Sequence, residues 1–252
     1  MTARIGPYEL DSIVTGDCRE LAAALPHESV DLVLTDPPYG IDYQMTAPGK
    51  ITHDRRNTQR TFGADKLDTS WLLDAYRILK PNRCAFVFTR WDVLQTWKDA
   101  AEAAGFVMSQ RLIWDKSHFG SGDLRYYGSQ TEDVLFLRKG APVMQWEGRK
   151  GNVYKTATRA YFPERSDLHP TQKPESLARE WIQDTTQPGQ IVVDFFSGSG
   201  TFAAAAKQTG RRFLAFELRA DYADISRQRL HNTQVPLFVP APEQATLFEV
   251  TA

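Results

Sequence analysis

Pro37 and Pro38 stand side by side, directly after the apolar run Leu32-Val33-Leu34 and the pair Thr35-Asp36. Proline lacks a backbone N–H and cannot continue an interior strand. An apolar run this short, closed by prolines, reads as a buried parallel strand rather than a helix. The chain therefore leaves its sheet near Asp36, with Asp36 and Tyr39 beyond the carboxyl edge of the strand. Open α/β sheets bind ligands at that edge. Asp36, Pro37, Pro38 and Tyr39 offer a carboxylate, two stiff backbone units with free carbonyls, and an aromatic face. A planar base carrying an amino group fits this set. A proline-stiffened turn with an aspartate cap fits the same four residues.

The rest of the chain alternates between short apolar runs and helical stripes. Strands are expected at 13–14, 84–88, 107–114, 134–137, 191–193 and 213–216, and helices at 71–79, 91–104, 175–183, 201–208 and 220–229. Pro81 and Asn82 are expected to stop the first of these helices. This rhythm predicts an α/β fold with a parallel sheet. A length of 252 residues supplies one such core, with room for a small appended lobe. Apolar residues make up 42% and charged residues 24%, as in ordinary globular proteins. A net charge of -1 excludes a global basic field, although a local patch suffices for phosphate contact. Cys18 and Cys84 form neither a disulfide framework nor a metal cluster, and they suit a reducing compartment. There is no apolar leader and no membrane-length run, so a cytoplasmic protein without a membrane partner is expected.

A second constellation lies late in the chain. The strand at 191–193 runs into Asp194-Phe195-Phe196-Ser197-Gly198-Ser199-Gly200, and Thr201 opens an alanine-rich helix. Glycines between a strand and a helix let the backbone turn tightly and approach a ligand. Glu217 ends the following strand, where dinucleotide sites carry the acid that binds ribose hydroxyls. The full phosphate fingerprint G-x-G-x-x-G is missing, and the charge of Asp194 disfavours a pyrophosphate. A nucleoside with an ammonium or another positive centre fits better, and S-adenosylmethionine is such a molecule. Asp17, after Thr15-Gly16, is one more acid at a strand end. It could receive a ligand amino group, and it could equally cap the segment 19–25.

Two segments interrupt the rhythm. Residues 40–66 form a polar loop too long for a simple connection and carry Lys50, Arg55, Arg56 and Arg60. Residues 140–168 hold Arg149, Lys150, Lys155 and Arg159 interleaved with Trp146, Tyr154, Tyr161 and Phe162. Bases stack on aromatics while Lys and Arg meet phosphate, so both segments are candidate DNA contacts. A solvated face for the first and a surface excursion for the second are the alternatives.

Taken together, these motifs resemble the amino-group DNA methyltransferases, which act on adenine N6 or cytosine N4. D-P-P-Y-G at 36–40 is similar to the family's catalytic motif, and V-D-F-F-S-G-S-G-T at 193–201 to its cofactor motif, with Phe195 where proline is usual. G-D-C at 16–18, R-L-I-W-D-K at 111–116, H-P-T-Q-K-P at 169–174 and F-E-L-R-A-D-Y at 216–222 are similar to further family segments. The catalytic motif precedes the cofactor motif, which resembles the permuted β group. The resemblance implies a seven-stranded, Rossmann-like, circularly permuted methyltransferase fold with helices on both faces and an antiparallel edge pair near 132–137. It implies S-adenosylmethionine as cofactor, held by Asp17, Cys18, Asp36, Thr171, Lys173, Asp194 to Thr201, Glu217 and Leu218.

It also implies double-stranded DNA as partner, flipping of the target base, no metal, and a homodimer as a reasonable arrangement. The expected division is a catalytic part at 1–139, a target-recognition segment at 140–168, a cofactor-binding part at 169–232 and a tail at 233–252. D-P-P-Y is the adenine tendency of the family; cytosine N4, RNA, a protein glutamine or a non-catalytic DNA-binding role are the alternatives. Neither cysteine follows a proline, which argues against methylation at cytosine C5. In the tail, Gln244-Ala245-Thr246-Leu247-Phe248 resembles peptides that dock on bacterial sliding clamps, and packing on its own domain is the competing reading.

Overall fold

The computed structural model describes residues 3–39, 67–117, 127–156 and 172–234. Among the described residues, a small hairpin of β1 (Arg4–Ile5) and β2 (Tyr8–Glu9) precedes one eight-stranded sheet. Its strands are β3 (Ser12–Thr15), β4 (Val30–Thr35), β5 (Leu79–Thr89), β6 (Val107–Asp115), β7 (Thr131–Lys139), β8 (Val153–Lys155), β9 (Ile191–Asp194) and β10 (Arg212–Glu217). They lie in the order β3-β10-β9-β4-β5-β7-β6-β8. Only β7 runs against the others, pairing antiparallel with β5 and β6. The expected antiparallel partner near 132–137 is therefore this strand.

Alternation along the strands assigns the two faces. On β4, Val33 points to one side with Ala85, Val87, Val193 and Leu214, under α1 (Cys18–Ala23), α2 (Trp71–Ile78) and α3 (Leu94–Ala103). Leu32 and Leu34 point to the other side with Phe86, Phe88, Val192 and Ala215, under α4 (Glu175–Thr185), α5 (Thr201–Gln208) and α6 (Ala220–Asn232). A strand buried on both faces has to be apolar throughout, which explains the continuous run in β4. Thr35 at its end and Asp31 near its start are the exceptions. Lys80 at 2.9 Å and Arg83 at 3.2 Å neutralise Asp31, and the Ile191 N–H donates to it at 3.0 Å.

Three local expectations are corrected. Helix α2 ends ahead of Pro81, at Ile78, but β5 begins at Leu79 rather than at 84, with Pro81 and Asn82 inside it; Asn82 takes a φ of 58°, and the pairing of β4 with β5 shifts register beside them. A bulge of this kind carries a proline without breaking the strand. Helix α3 begins at Leu94, and Trp91 ahead of it is 78% exposed. The sheet has an eighth strand, because β8 pairs parallel to β6 through Ile113 and Val153. Tyr154 on β8 turns inward and packs edge-on against Trp181 at 5.3 Å, so this aromatic serves the core. Among the described residues no helix is long and apolar enough to cross a membrane.

The order of connections positions the site. From β4 the chain passes through α2 to β5 on one side, and from β9 through α5 to β10 on the other, with α2 and α5 on opposite faces. Strands β4 and β9 are hydrogen-bonded neighbours, Val33 opposite Val193. Two adjacent strands whose onward connections diverge leave a crevice at their carboxyl ends. Both acid-led motifs empty into it.

Candidate active site at the switch point

Asp36 follows β4 directly and is 21% exposed. Tyr39 donates its hydroxyl hydrogen bond to Asp36 Oδ1. Lys173, in the segment before α4, brings Nζ within 2.8 Å of Asp36 Oδ2 and 3.0 Å of Glu132 Oε2. The second oxygen of Glu132 lies 3.4 Å from Lys116 Nζ. The Lys173 ammonium also sits 5.6 Å from the Tyr39 ring centre and 5.0 Å from that of Phe88. Burial pushes the Asp36 carboxyl above its ordinary range, and Lys173 draws it back. Burial also works against the Lys173 charge, yet Asp36 and Glu132 outweigh it and hold that ammonium well above the usual lysine value.

The second motif stands one strand away. Asp194 ends β9 and is 2% exposed. Thr35 Oγ1 donates to its Oδ1 at 2.7 Å, and the Phe196 N–H donates to the same oxygen at 3.1 Å. Among the described residues, Asp194 Oδ2 is buried with no hydrogen-bond partner. Burial, helped by the charges of Asp36 and Glu217, pushes this carboxyl up to about 7, while the Thr35 hydroxyl and the Phe196 amide restrain it.

Phe195, which stands where proline is usual, contributes two things a proline could not. Its N–H donates to Thr35 Oγ1 at 3.1 Å, which leaves the Thr35 hydroxyl proton for Asp194. Its ring packs 5.1 Å from Trp71 and 5.7 Å from Phe216. The last residue of β4 is thereby tied to the last residue of β9.

The glycine turn follows. Gly198 and Gly200 have φ of 51° and 75°, which side-chain-bearing residues rarely adopt. A Cβ on Gly200 would stand 3.1 Å from Ser226 Cα on α6. Ser226 also donates to the Gly198 carbonyl at 2.8 Å and holds the turn from behind. Glu217 accepts the Gly198 N–H at 2.8 Å and the Arg219 N–H at 3.0 Å, one on each carboxylate oxygen. Ser199 and Thr201 share a hydrogen bond of 3.1 Å at the start of α5, and Ser197 one of 3.2 Å with Ser226. Leu218 is exposed next to Glu217.

Asp17 caps α1: its Oδ1 accepts the Arg19 N–H at 2.9 Å, and the Arg19 guanidinium lies on the same carboxylate, holding it below the ordinary range. Cys18 beside it is buried, and burial pushes its thiol up to about 12. Of the basic residues singled out, Arg149 is exposed and Lys155 is 74% exposed. Lys150 is held by Asp184 at 2.6 Å and Glu180 at 3.4 Å. Lys50, Arg55, Arg56, Arg60, Arg159, Thr171 and the segment 244–248 lie outside the described residues. Thr35, Glu132 and Ser226 were not singled out from the sequence. Thr35 had a local signal, as the polar residue ending an apolar strand. Glu132 and Ser226 had none, because they reach the site only through the fold.

The chain matches the N6/N4 DNA methylase family over residues 30–228. It belongs to that family. A protein of Escherichia coli (strain K12) named as a methylase, YubD, is 31% identical over 238 residues, covering 89% of this chain and 92% of that one. The DNA adenine methyltransferase YhdJ of the same strain is 27% identical over 258 residues, covering 88% of this chain and 83% of YhdJ. Among solved structures, the M1.HpyAVI–SAM complex superposes with a TM-score of 0.66 at 24% identity, covering 86% of this chain and 98% of that one. PvuII DNA methyltransferase (cytosine-N4-specific) does so at 0.65 and 20%, covering 90% and 87%. At these identities the superpositions establish the methyltransferase fold. The family places the chain among DNA amino-methyltransferases.

Proposed function

We propose that this methylase transfers a methyl group from S-adenosylmethionine to the exocyclic N6 of adenine in duplex DNA, after the base is flipped out of the helix. The observation that carries the reading is the adjacency of β4 and β9, which ends both acid-led motifs side by side at one sheet edge. The residues fit the cofactor. Asp194 Oδ2, without a partner among the described residues, suits an ammonium, and the glycine turn gives close backbone approach where a Cβ would collide with Ser226. Glu217 is turned by two backbone amides so that its remaining lone pairs suit ribose hydroxyls. Asp17, Cys18, Phe196 and the exposed Leu218 complete the proposed surface toward adenine. When bound, S-adenosylmethionine supplies a methyl group on a positively charged sulfur.

The chain does the rest. The amine of adenine is a poor nucleophile because its lone pair is delocalised into the ring. Asp36 and the Pro37 carbonyl would accept its two N–H bonds and draw the nitrogen toward tetrahedral geometry. Positive charge develops on that nitrogen during attack, and the Asp36 carboxylate stabilises it. Pro38 stiffens the turn, and Tyr39, tied to Asp36 through its hydroxyl, stacks on the base and fixes its plane. The nitrogen then sheds one proton, and Asp36 is the base in contact with it. Exposed Arg149 and Lys155 are proposed phosphate contacts.

The adenine assignment is supported by the aspartate opening D-P-P-Y and by the similarity to YhdJ. Long-read sequencing of DNA from a host expressing the protein tests it. N6-methyladenine at one recurring sequence is expected. N4-methylcytosine would overturn the base assignment, and unmodified DNA would overturn the reading.

A further inference from the structure

The catalytic carboxylate is already occupied in the protein alone. Tyr39 holds Asp36 Oδ1, and the Lys173 ammonium lies 2.8 Å from Oδ2. That ammonium is an N–H donor beside the Tyr39 and Phe88 rings, and only 7% exposed. An exocyclic amine stacked on Tyr39 would present the same kind of donor to the same oxygen. Lys173 has a second anion within reach, Glu132 at 3.0 Å, whose other oxygen is shared with Lys116 at 3.4 Å. We propose that Lys173 holds the seat of the target amine until a base arrives, and that Glu132 is the acceptor that retains its ammonium once the base takes Asp36. Lys173 and Glu132 are thus positioning residues that act through Asp36. The inference rests on the reading that Asp36 receives the target amine.

The physical reason is desolvation. A largely buried carboxylate stripped of its partner is strongly disfavoured, so an empty Asp36 would be protonated. Exchanging one N–H donor for another keeps the carboxylate paired throughout. Glu132 makes the exchange feasible, because the displaced ammonium keeps an anion without moving through an unpaired state. Lys116 opposes it by drawing charge from Glu132.

This opposition gives variants of opposite sign. The probes are a duplex carrying the sequence found to be methylated, with 2-aminopurine beside the target base, and the full-length protein at saturating cofactor. Glu132→Gln leaves Asp36 as the one carboxylate paired with Lys173, so the KM for DNA rises by about tenfold and the flipping signal at saturating DNA falls. Lys116→Met releases Glu132 to draw Lys173 away, so the flipping signal rises. Cofactor affinity, measured by calorimetry, stays unchanged in both.

Lys173→Met supplies an independent readout. Among the described residues, Asp36 faces Lys173, Glu132 on β7, its own Tyr39 and Asp194 on β9. Removing the one cation among these groups moves the acid limb of the kcat/KM profile, which reports the protein before the base binds, to higher pH, by about 1–3 units for loss of a close opposite charge. Flipping that shifts in the same direction in Glu132→Gln and Lys116→Met, or an acid limb unmoved in Lys173→Met, overturns the proposal. Should Glu132→Gln fail to fold, the sign of Lys116→Met and the Lys173→Met profile still decide. Failure of the underlying reading looks different: Asp36→Asn would then turn over normally.

Discussion

Thr35→Val separates the hydroxyl that joins the two motifs from the shape of the side chain that carries it. In the wild type this hydroxyl donates to Asp194 Oδ1 at 2.7 Å and accepts the Phe195 N–H at 3.1 Å. Asp194 sits at about 7 because burial raises it, the charges of Asp36 and Glu217 add to the rise, and Thr35 and Phe196 hold it down. A cofactor ammonium binds the ionised form. Affinity therefore falls as pH drops below about 7, approaching tenfold per unit. Valine removes one charge-assisted hydrogen bond, of the order of 1.5–3 kcal/mol. At about 1.4 kcal/mol per unit, the midpoint moves up by about one to two pH units. At pH 7 the ionised fraction drops from about half to a tenth or less, and cofactor affinity by roughly 5- to 50-fold. The ligand's own α-amine titrates near 8, but it is common to both proteins and cancels in the comparison. Calorimetric titration with S-adenosylmethionine from pH 5.5 to 8 measures the shift. Thr35→Ser, which keeps the hydroxyl, should restore the wild-type midpoint. A valine variant with an unmoved midpoint, or a serine variant as defective as valine, would refute this electrostatic link.

Two further substitutions probe the same region. Phe195→Pro restores the residue usual in the resembling motif, yet it deletes the amide bonded to Thr35 and a ring packed on Trp71 and Phe216; a loss of about 2–4 kcal/mol in urea unfolding is expected, and an unchanged midpoint would show that the aromatic cluster contributes nothing. Gly200→Ala places a Cβ 3.1 Å from Ser226 Cα at a φ of 75°, so stability falls by about 1–3 kcal/mol and cofactor affinity falls with it, both read from thermal shift with and without ligand.

The parts of this architecture that follow from local chemistry were legible in the sequence. Leu32, Val33 and Leu34 had to be buried on both faces, and Pro37-Pro38 had to end the strand. The tight turn at Gly198 and Gly200 and the place of Glu217 at the end of β10 were legible in the same way. What escaped depends on distant segments meeting. Pro81 marked the end of α2, but not that β5 starts ahead of it, because a bulge at Asn82 lets the strand absorb the proline. Tyr154 looked like a base-stacking residue, but β8 folds it onto Trp181. Lys150 looked like a phosphate ligand, but Asp184 on α4 captures it. Asp17 left two readings open, and its side chain caps α1. Phe195 looked like a bare departure from the usual proline, but its amide orients Thr35. Glu132 carried no signal at all, since its relation to Lys173 spans the antiparallel strand and the segment before α4.

The most direct test of the shared edge compares two quantities in Asp36→Asn: the single-turnover rate of labelled methyl transfer to duplex DNA, and the dissociation constant for S-adenosylmethionine. If Asp36 acts on the target amine beside a cofactor held mainly by the Asp194 motif, the rate falls by roughly 10²-fold or more while the dissociation constant stays within about twofold. A near-normal rate, or an equal loss in both quantities, would contradict it.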